Sequence, residues 1–136
     1  MFQKILVPLA LTHGVSEKTL AAAKSLADAD GKITALHVYE IPQGTVSALM
    51  GEERIQQGLD AAWEALKEKT KGFDGVEAEI IRGHAYRSIV DYAESGGYDC
   101  IVIGSHKPGL SDYLIGSTAA RVVRHASCTV HVYRGG

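Results

Sequence analysis

Short apolar runs alternate along the chain with segments in which apolar residues recur every three or four positions. In 4–10 and 99–104 the apolar residues stand on consecutive positions, which is typical of strands buried on both faces of a sheet. In 76–82 they alternate with glutamates, which indicates a strand nearer the sheet edge. Segments 32–39 and 129–133 are the two remaining predicted strands.

Helices are predicted between these strands from the spacing of their apolar residues. The first helix begins at Ser16 and ends before Gly31. Three more are predicted over 52–71, 86–95 and 117–125. The segment 41–51 contains a proline and two glycines, so we expect an irregular connection there. Strict alternation of strands and helices predicts a three-layer, doubly wound parallel α/β sheet.

Length and composition narrow the possible classes of protein. The chain has 136 residues, which fits a single domain over 1–136, and 46% of them are hydrophobic. The formal net charge of −2 argues against a general nucleic-acid binder or a binder of anionic membranes. The early apolar run ends too soon for a membrane span or a signal peptide. We therefore expect a cytoplasmic protein in which Cys100 and Cys128 are reduced thiols.

The segment between Gly104 and Ser117 is the best candidate for chemistry. It leaves a buried strand through Gly104 and enters a helix through Gly116 and Ser117. It therefore lies at the carboxyl ends of the strands, where folds of this kind bind ligands. Free amides at the start of that helix favour phosphate. Hydroxyl groups and one cation add donors, from Ser105, Ser117, Thr118 and Lys107. The segment therefore predicts a phosphate cradle, although it is neither a Walker loop nor a G-x-G-x-x-G fingerprint.

Other polar residues give weaker signals. Neither H-x-x-x-H nor C-x-x-C spacing occurs among the histidines and cysteines, so no metal site is predicted. His106 could act as a general base, but no nucleophile and carboxylate can be assigned to it, and Asp112 is as well explained by a turn. His125 ends a helix, where a cation stabilises the last carbonyls. No catalytic residue is predicted.

Several motifs together resemble the universal stress protein family over the whole chain. They are Lys4-Ile-Leu-Val-Pro8, Ser16-Glu-Lys-Thr-Leu20, Leu36-His-Val38, Ile103-Gly-Ser-His106 and Gly116-Ser-Thr-Ala-Ala-Arg-Val-Val-Arg-His-Ala126-Ser-Cys-Thr-Val130. The resemblance implies a Rossmann-like, five-stranded parallel sheet with strand order 3-2-1-4-5 and a homodimer. Many members of the family bind ATP, and others do not.

The resemblance also implies a nucleotide site. Its adenine side would comprise Pro8, Leu9, Ala10, Val38 and Ile103, and its phosphate side Gly104, Ser105, His106, Lys107, Gly109, Gly116, Ser117 and Thr118. Two features depart from the family pattern. Ala10 stands where ATP-binding members typically carry aspartate, and the glycine loop is one residue shorter than G-x2-G-x9-G-[S/T]. The loop reads Ser-His-Lys-Pro from Ser105, similar to a subgroup with Ser-His-Arg-Pro.

The function implied is that of an ATP-binding regulatory or stress-response protein, with Mg²⁺ accompanying the nucleotide. It would be a homodimer through the last strand, at Val130, His131, Val132 and Tyr133. Two alternatives remain open at this point. One is a nucleotide-free dimeric module that binds a regulatory protein partner through 41–51 or the loop after Gly104, and the other is a weak ATPase or autophosphorylating protein.

Overall fold

The computed structural model describes residues 1–11, 16–40, 45–105 and 116–134, and of residues 45–50 it describes the backbone alone. The elements in chain order are β1 (Phe2–Pro8), α1 (Ser16–Leu26), β2 (Ala27–Tyr39), α2 (Thr45–Thr70), β3 (Val76–Arg82), α3 (Ala85–Ser95), β4 (Cys100–Ser105), α4 (Ser117–His125) and β5 (Thr129–Arg134). The alternating order of strands and helices is the predicted one.

The strands form one five-stranded sheet in the order β3-β2-β1-β4-β5, and every pair in it is parallel. The predicted strand order is confirmed, and β3, with its alternating charges, lies at an edge. Helices cover both faces. α1 and α2 pack on the side of Ile5 and Val7, and α3 and α4 pack on the side of Leu6, because successive residues of a strand point to opposite faces.

The first half of β2 differs from the prediction. Residues 27–30 were expected to continue α1, but the helix ends at Leu26 and Ala27 pairs with Phe2. The register then shifts, so that Lys4 pairs with Lys32. Gly31 fits this irregular stretch because a Cβ there would stand 3.0 Å from the carbonyl oxygen of Phe2. Pairing with β1 therefore determines the structure of this stretch, although its local sequence favours the end of a helix.

The predicted irregular connection over 41–51 was wrong for its second half. Residues 45–50 are helical and lead into the rest of α2 across a break at Gly51, whose φ of 76° lies outside the helical region. That glycine conformation interrupts the helix without ending it. Residues 41–44 lie outside the described part of the chain.

β1 and β4 separate towards their carboxyl ends. They pair only at Ile5 with Cys100 and at Leu6 with Ile101. The ladder of β1 with β2 continues to Pro8, and that of β4 with β5 continues to Ser105. A crevice therefore opens between β1 and β4, at the point where the strand order reverses and where folds of this kind bind ligands.

Candidate functional site

A pocket with a volume of about 580 Å³ lies in this crevice. The carboxyl ends of β1, β2 and β4 form its floor, and the first turns of α3 and α4 form its walls. Its lining residues are Pro8, Leu9, Ala10, Leu36, His37, Val38, Tyr39, Glu40, Ala85, Ile89, Ile103, Gly104, Ser105, Gly116, Ser117, Thr118 and Ala119. The volume lies within the range of small-molecule sites, and apolar side chains contribute much of the lining.

The start of α4 supplies hydrogen-bond donors to one end of this pocket. The first intrahelical bond runs from the N–H of Ala120 to the carbonyl of Gly116. The amides of Ser117, Thr118 and Ala119 precede it, so the helix itself gives them no acceptor. No side chain caps this end among the described residues. These three residues line the pocket, and the helix dipole adds positive potential there.

Ser105 holds the start of α4 against the end of β4. Its hydroxyl oxygen accepts a hydrogen bond of 2.9 Å from the N–H of Gly116, eleven residues further along the chain. Ser105 is only 8% exposed, so this bond is formed at the inner wall of the pocket. The bond fixes where the free amides of α4 stand relative to the strand.

The opposite end of the pocket is formed by the end of β2. Nδ1 of the His37 ring lies 2.8 Å from the carbonyl oxygen of Leu9, and since a carbonyl can only accept, Nδ1 donates. The carboxylate of Glu40 accepts a hydrogen bond of 2.8 Å from the N–H of Ala85, the first residue of α3. Side-chain bonds therefore join β2 both to β1 and to α3 around the pocket.

Most of the residues assigned to the nucleotide site from sequence come together in this pocket. They are Pro8, Leu9, Ala10, Val38, Ile103, Gly104, Ser105, Gly116, Ser117 and Thr118. His106, Lys107 and Gly109 lie outside the described residues, as does Asp112. Sequence reasoning missed the end of β2 and the start of α3, which contribute His37, Tyr39, Glu40, Ala85 and Ile89. Their positions in the sequence could have indicated them, because they lie at or shortly after the carboxyl ends of predicted strands.

The residues predicted for a dimer interface lie on β5, at the edge of the sheet. Val130 and Val132 pack towards α3 and α4, as the alternation of the strand predicts. Tyr133 is half-buried, and the side chain of His131 is exposed. Among the described strands, β4 is the one that pairs with β5.

The structure also places His125, which the sequence assigned to a helix end. His125 ends α4, and its ring lies 5.4 Å from that of Tyr86 at the start of α3, which also has the Arg121 guanidinium 5.3 Å from its centre. Within the described ranges, no group of three or more histidine, cysteine or acidic side chains is arranged to hold a metal ion. A search of the same ranges for a helix long and apolar enough to cross a membrane finds none.

The profile of the Universal stress protein family matches residues 1–134. The chain belongs to the universal stress protein family. Universal stress protein G of Escherichia coli O157:H7 is 30% identical to it, over 98% of this chain and 100% of that protein. A universal stress protein of Methanothermobacter thermautotrophicus is also 30% identical, over 98% of this chain and 97% of the relative.

Solved structures agree with this family fold. Hypothetical protein MJ0577 superposes with a TM-score of 0.80 at 25% identity, covering 100% of this chain and 98% of the other. The universal stress protein of Archaeoglobus fulgidus, solved in complex with dAMP, superposes with a TM-score of 0.64 at 22% identity, covering 96% of each chain. The five-stranded sheet with order 3-2-1-4-5 is thus the universal stress protein fold.

Proposed function

We propose that this universal stress protein binds an adenine nucleotide in the pocket at the carboxyl ends of β1, β2 and β4, and that it acts as a regulatory protein. The observation that carries the proposal is that no described residue accepts from the amides of Ser117, Thr118 and Ala119, and that these residues line the pocket at the positive end of the α4 dipole. Such a helix start favours an anion, and phosphate is the anion that it commonly binds.

The rest of the pocket suits a nucleoside. Apolar side chains of Pro8, Val38 and Ile103 offer surface to a flat base, while Ile89 closes the wall on the side of α3. The dAMP complex of the Archaeoglobus fulgidus relative supports an adenine nucleotide as the ligand. We infer that the base lies between β1, β2 and α3, with the phosphate at α4.

The lining residues also bear on Mg²⁺ and the length of the phosphate chain. Glu40 is the acidic residue among the described lining residues, and it is bonded to Ala85 on the side away from α4. A Mg²⁺ ion carried in with ATP would then be held by the phosphates and by water, because Mg²⁺ usually keeps several waters and few protein ligands. The ligand we propose is ATP, and AMP would share its base and first phosphate contacts.

A homodimer through β5 completes the proposal. β5 is an edge strand with a half-buried valine face, and an edge strand of this kind needs covering or pairing. Light scattering should give twice the chain mass of 14.5 kDa. His131→Pro should lower that mass, because proline is poorly tolerated in a strand paired on both sides, whereas His131→Ala keeps the backbone N–H and should leave the mass unchanged. A wild-type mass equal to one chain overturns the dimer.

A nucleotide-free interaction module is the second candidate, and Ala10 favours it. Ala10 is exposed at the pocket, so no carboxylate is available at this position to bind a nucleoside. Titration calorimetry with Mg-ATP and with AMP separates the two candidates. Saturable heat supports the nucleotide proposal, and the absence of heat at millimolar concentrations of both ligands favours the interaction module.

A further inference from the structure

Two helices begin at the pocket, and the amide of their first residue is used differently: that of Ala85 in α3 meets a side-chain carboxylate, and that of Ser117 in α4 meets no described acceptor. The N-cap residue of α3, His84, makes no side-chain capping bond. Glu40, at the end of β2, takes over this role by accepting the N–H of Ala85 at 2.8 Å. A side-chain anion therefore occupies the start of α3, whereas the start of α4 offers Ser117, Thr118 and Ala119 to an external one.

The sheet order separates these two helix starts. Glu40 follows β2 and Ser117 is reached from β4, and β1 lies between those strands. Neighbouring strands are about 4.8 Å apart, so the two ends of the pocket are separated by roughly 10 Å. That separation matches the length of a nucleoside carrying a phosphate. A ligand with its phosphate at α4 would bring its base towards Glu40.

The carboxylate of Glu40 has capacity for a further hydrogen bond. Oε1 accepts from Ala85, and no described residue donates to Oε2. A carboxylate is an acceptor only, so it can receive a hydrogen bond from an amino group and repels a carbonyl oxygen. Adenine presents an amino group at its C6 position, whereas guanine and hypoxanthine present a carbonyl there.

We propose that Glu40 is a specificity-determining residue, which selects 6-aminopurine nucleotides over 6-oxopurine nucleotides in this pocket. The inference rests on the proposed function, because it takes the phosphate to lie at α4. The carboxylate would favour AMP by accepting from its amino group and disfavour IMP by facing its carbonyl oxygen. Because Glu40 is exposed at the pocket rim, we expect a preference of about tenfold, below that of fully buried polar readout.

Titration calorimetry with AMP, purine riboside 5′-monophosphate and IMP tests this assignment on the wild type. Purine riboside 5′-monophosphate has neither an amino group nor a carbonyl at C6. We therefore expect AMP to bind most tightly, purine riboside 5′-monophosphate less tightly and IMP most weakly. Glu40→Gln is the decisive variant, because its amide oxygen can still accept from Ala85 while its amide N–H can donate to IMP. Its ratio of AMP to IMP affinity should fall from about ten to near one.

Glu94→Gln is the matched control, since it removes the same charge from the exposed far end of α3 and should leave the ratio unchanged. Glu40→Ala should lower the melting temperature by removing the cap of α3, and its AMP to IMP ratio should also fall. Equal binding of AMP and IMP by the wild type overturns the role of Glu40 and leaves the proposed function standing. If Glu40→Gln keeps the full preference for AMP over IMP, the role of Glu40 is likewise overturned and the proposed function still stands. Failure of the wild type to bind any of the three ligands overturns both.

Discussion

The hydroxyl oxygen of Ser105 at the end of β4 accepts the backbone N–H of Gly116 at 2.9 Å. This bond uses the amide that immediately precedes the free ones of α4, so the donors left over belong to Ser117, Thr118 and Ala119. It also ties the ends of a long chain segment together at the wall of the pocket. The position of the proposed phosphate site therefore depends on one buried serine.

Ser105→Ala should weaken both the protein and its ligand binding. The change leaves the partly buried N–H of Gly116 without its acceptor, which costs about 1 kcal/mol in free energy of unfolding. A loss of that size at the site corresponds to about fivefold in nucleotide affinity. Ser105→Thr keeps the hydroxyl and is the control. Thermal unfolding and calorimetry of both variants check this, and equal affinity in Ser105→Ala and wild type would contradict it.

Gly116→Asp should change stability and binding in opposite directions. Gly116 is the N-cap of α4 with φ −59° and ψ 153°, and its added Cβ would meet Ser105 Oγ at an ordinary 4.0 Å. Aspartate is a favoured N-cap residue, so the free energy of unfolding of the variant should rise by about 0.5–1 kcal/mol. The same carboxylate occupies the anion position and should abolish nucleotide binding. Gly116→Ala is the uncharged control, and undiminished binding by Gly116→Asp would rule out phosphate at α4.

Ala10→Asp should strengthen nucleotide binding. Ala10 is exposed and lines the pocket, where an aspartate would add the acceptor that this chain lacks. A hydrogen bond to a charged acceptor contributes about 1.5–3 kcal/mol, so the affinity should rise about tenfold or more. Ala10→Leu controls for side-chain size. The prediction fails if Ala10→Asp and wild type give the same dissociation constant for AMP.

The two cysteines face opposite sides of the sheet. Cys100 packs with the cluster under α1 and α2, and Cys128 packs with the one under α3 and α4. Burial, followed by the neighbouring Cys128 thiol, raises the pKa of Cys100 to about 11. Cys100 is buried and Cys128 is half-buried, and both are free cysteines.

The raised pKa of Cys100 predicts a loss of stability in alkali. Below pH 9 the thiol is protonated in both states, but between about pH 9 and 11 the unfolded thiol ionises while the folded one does not. The free energy of unfolding should therefore fall across this window. Urea unfolding at pH 8 and pH 10.5 should show a smaller fall in the free energy of unfolding for Cys100→Ala than for wild type. Identical falls in Cys100→Ala and wild type would be inconsistent with this pKa.

The alternation of apolar runs and amphipathic segments was enough to predict the order of elements and the parallel sheet. Periodicity could not locate the start of β2, because residues 27–31 become strand through pairing with Phe2, which is distant in sequence. It also missed the helical stretch 45–50, since Gly51 interrupts α2 without ending it. Both errors arise where long-range pairing or one glycine conformation decides the local structure.

The candidate site was predictable where it carries a motif. Gly116 and Ser117 were found because glycine and hydroxyl residues at a helix start are a recognisable pattern. Glu40 and Ala85 were missed because their contact joins residues 45 apart, and neither belongs to a motif. Only the strand order brings the end of β2 and the start of α3 to the same pocket.

The central claim is that the free amides of α4 bind the phosphate of an adenine nucleotide. A parallel calorimetric titration of wild type and Gly116→Asp with AMP tests it most directly. The account predicts saturable heat for the wild type at millimolar nucleotide or below, and none for Gly116→Asp, whose fold is checked by its unfolding transition. No heat from the wild type, or the same heat from both proteins, would contradict it.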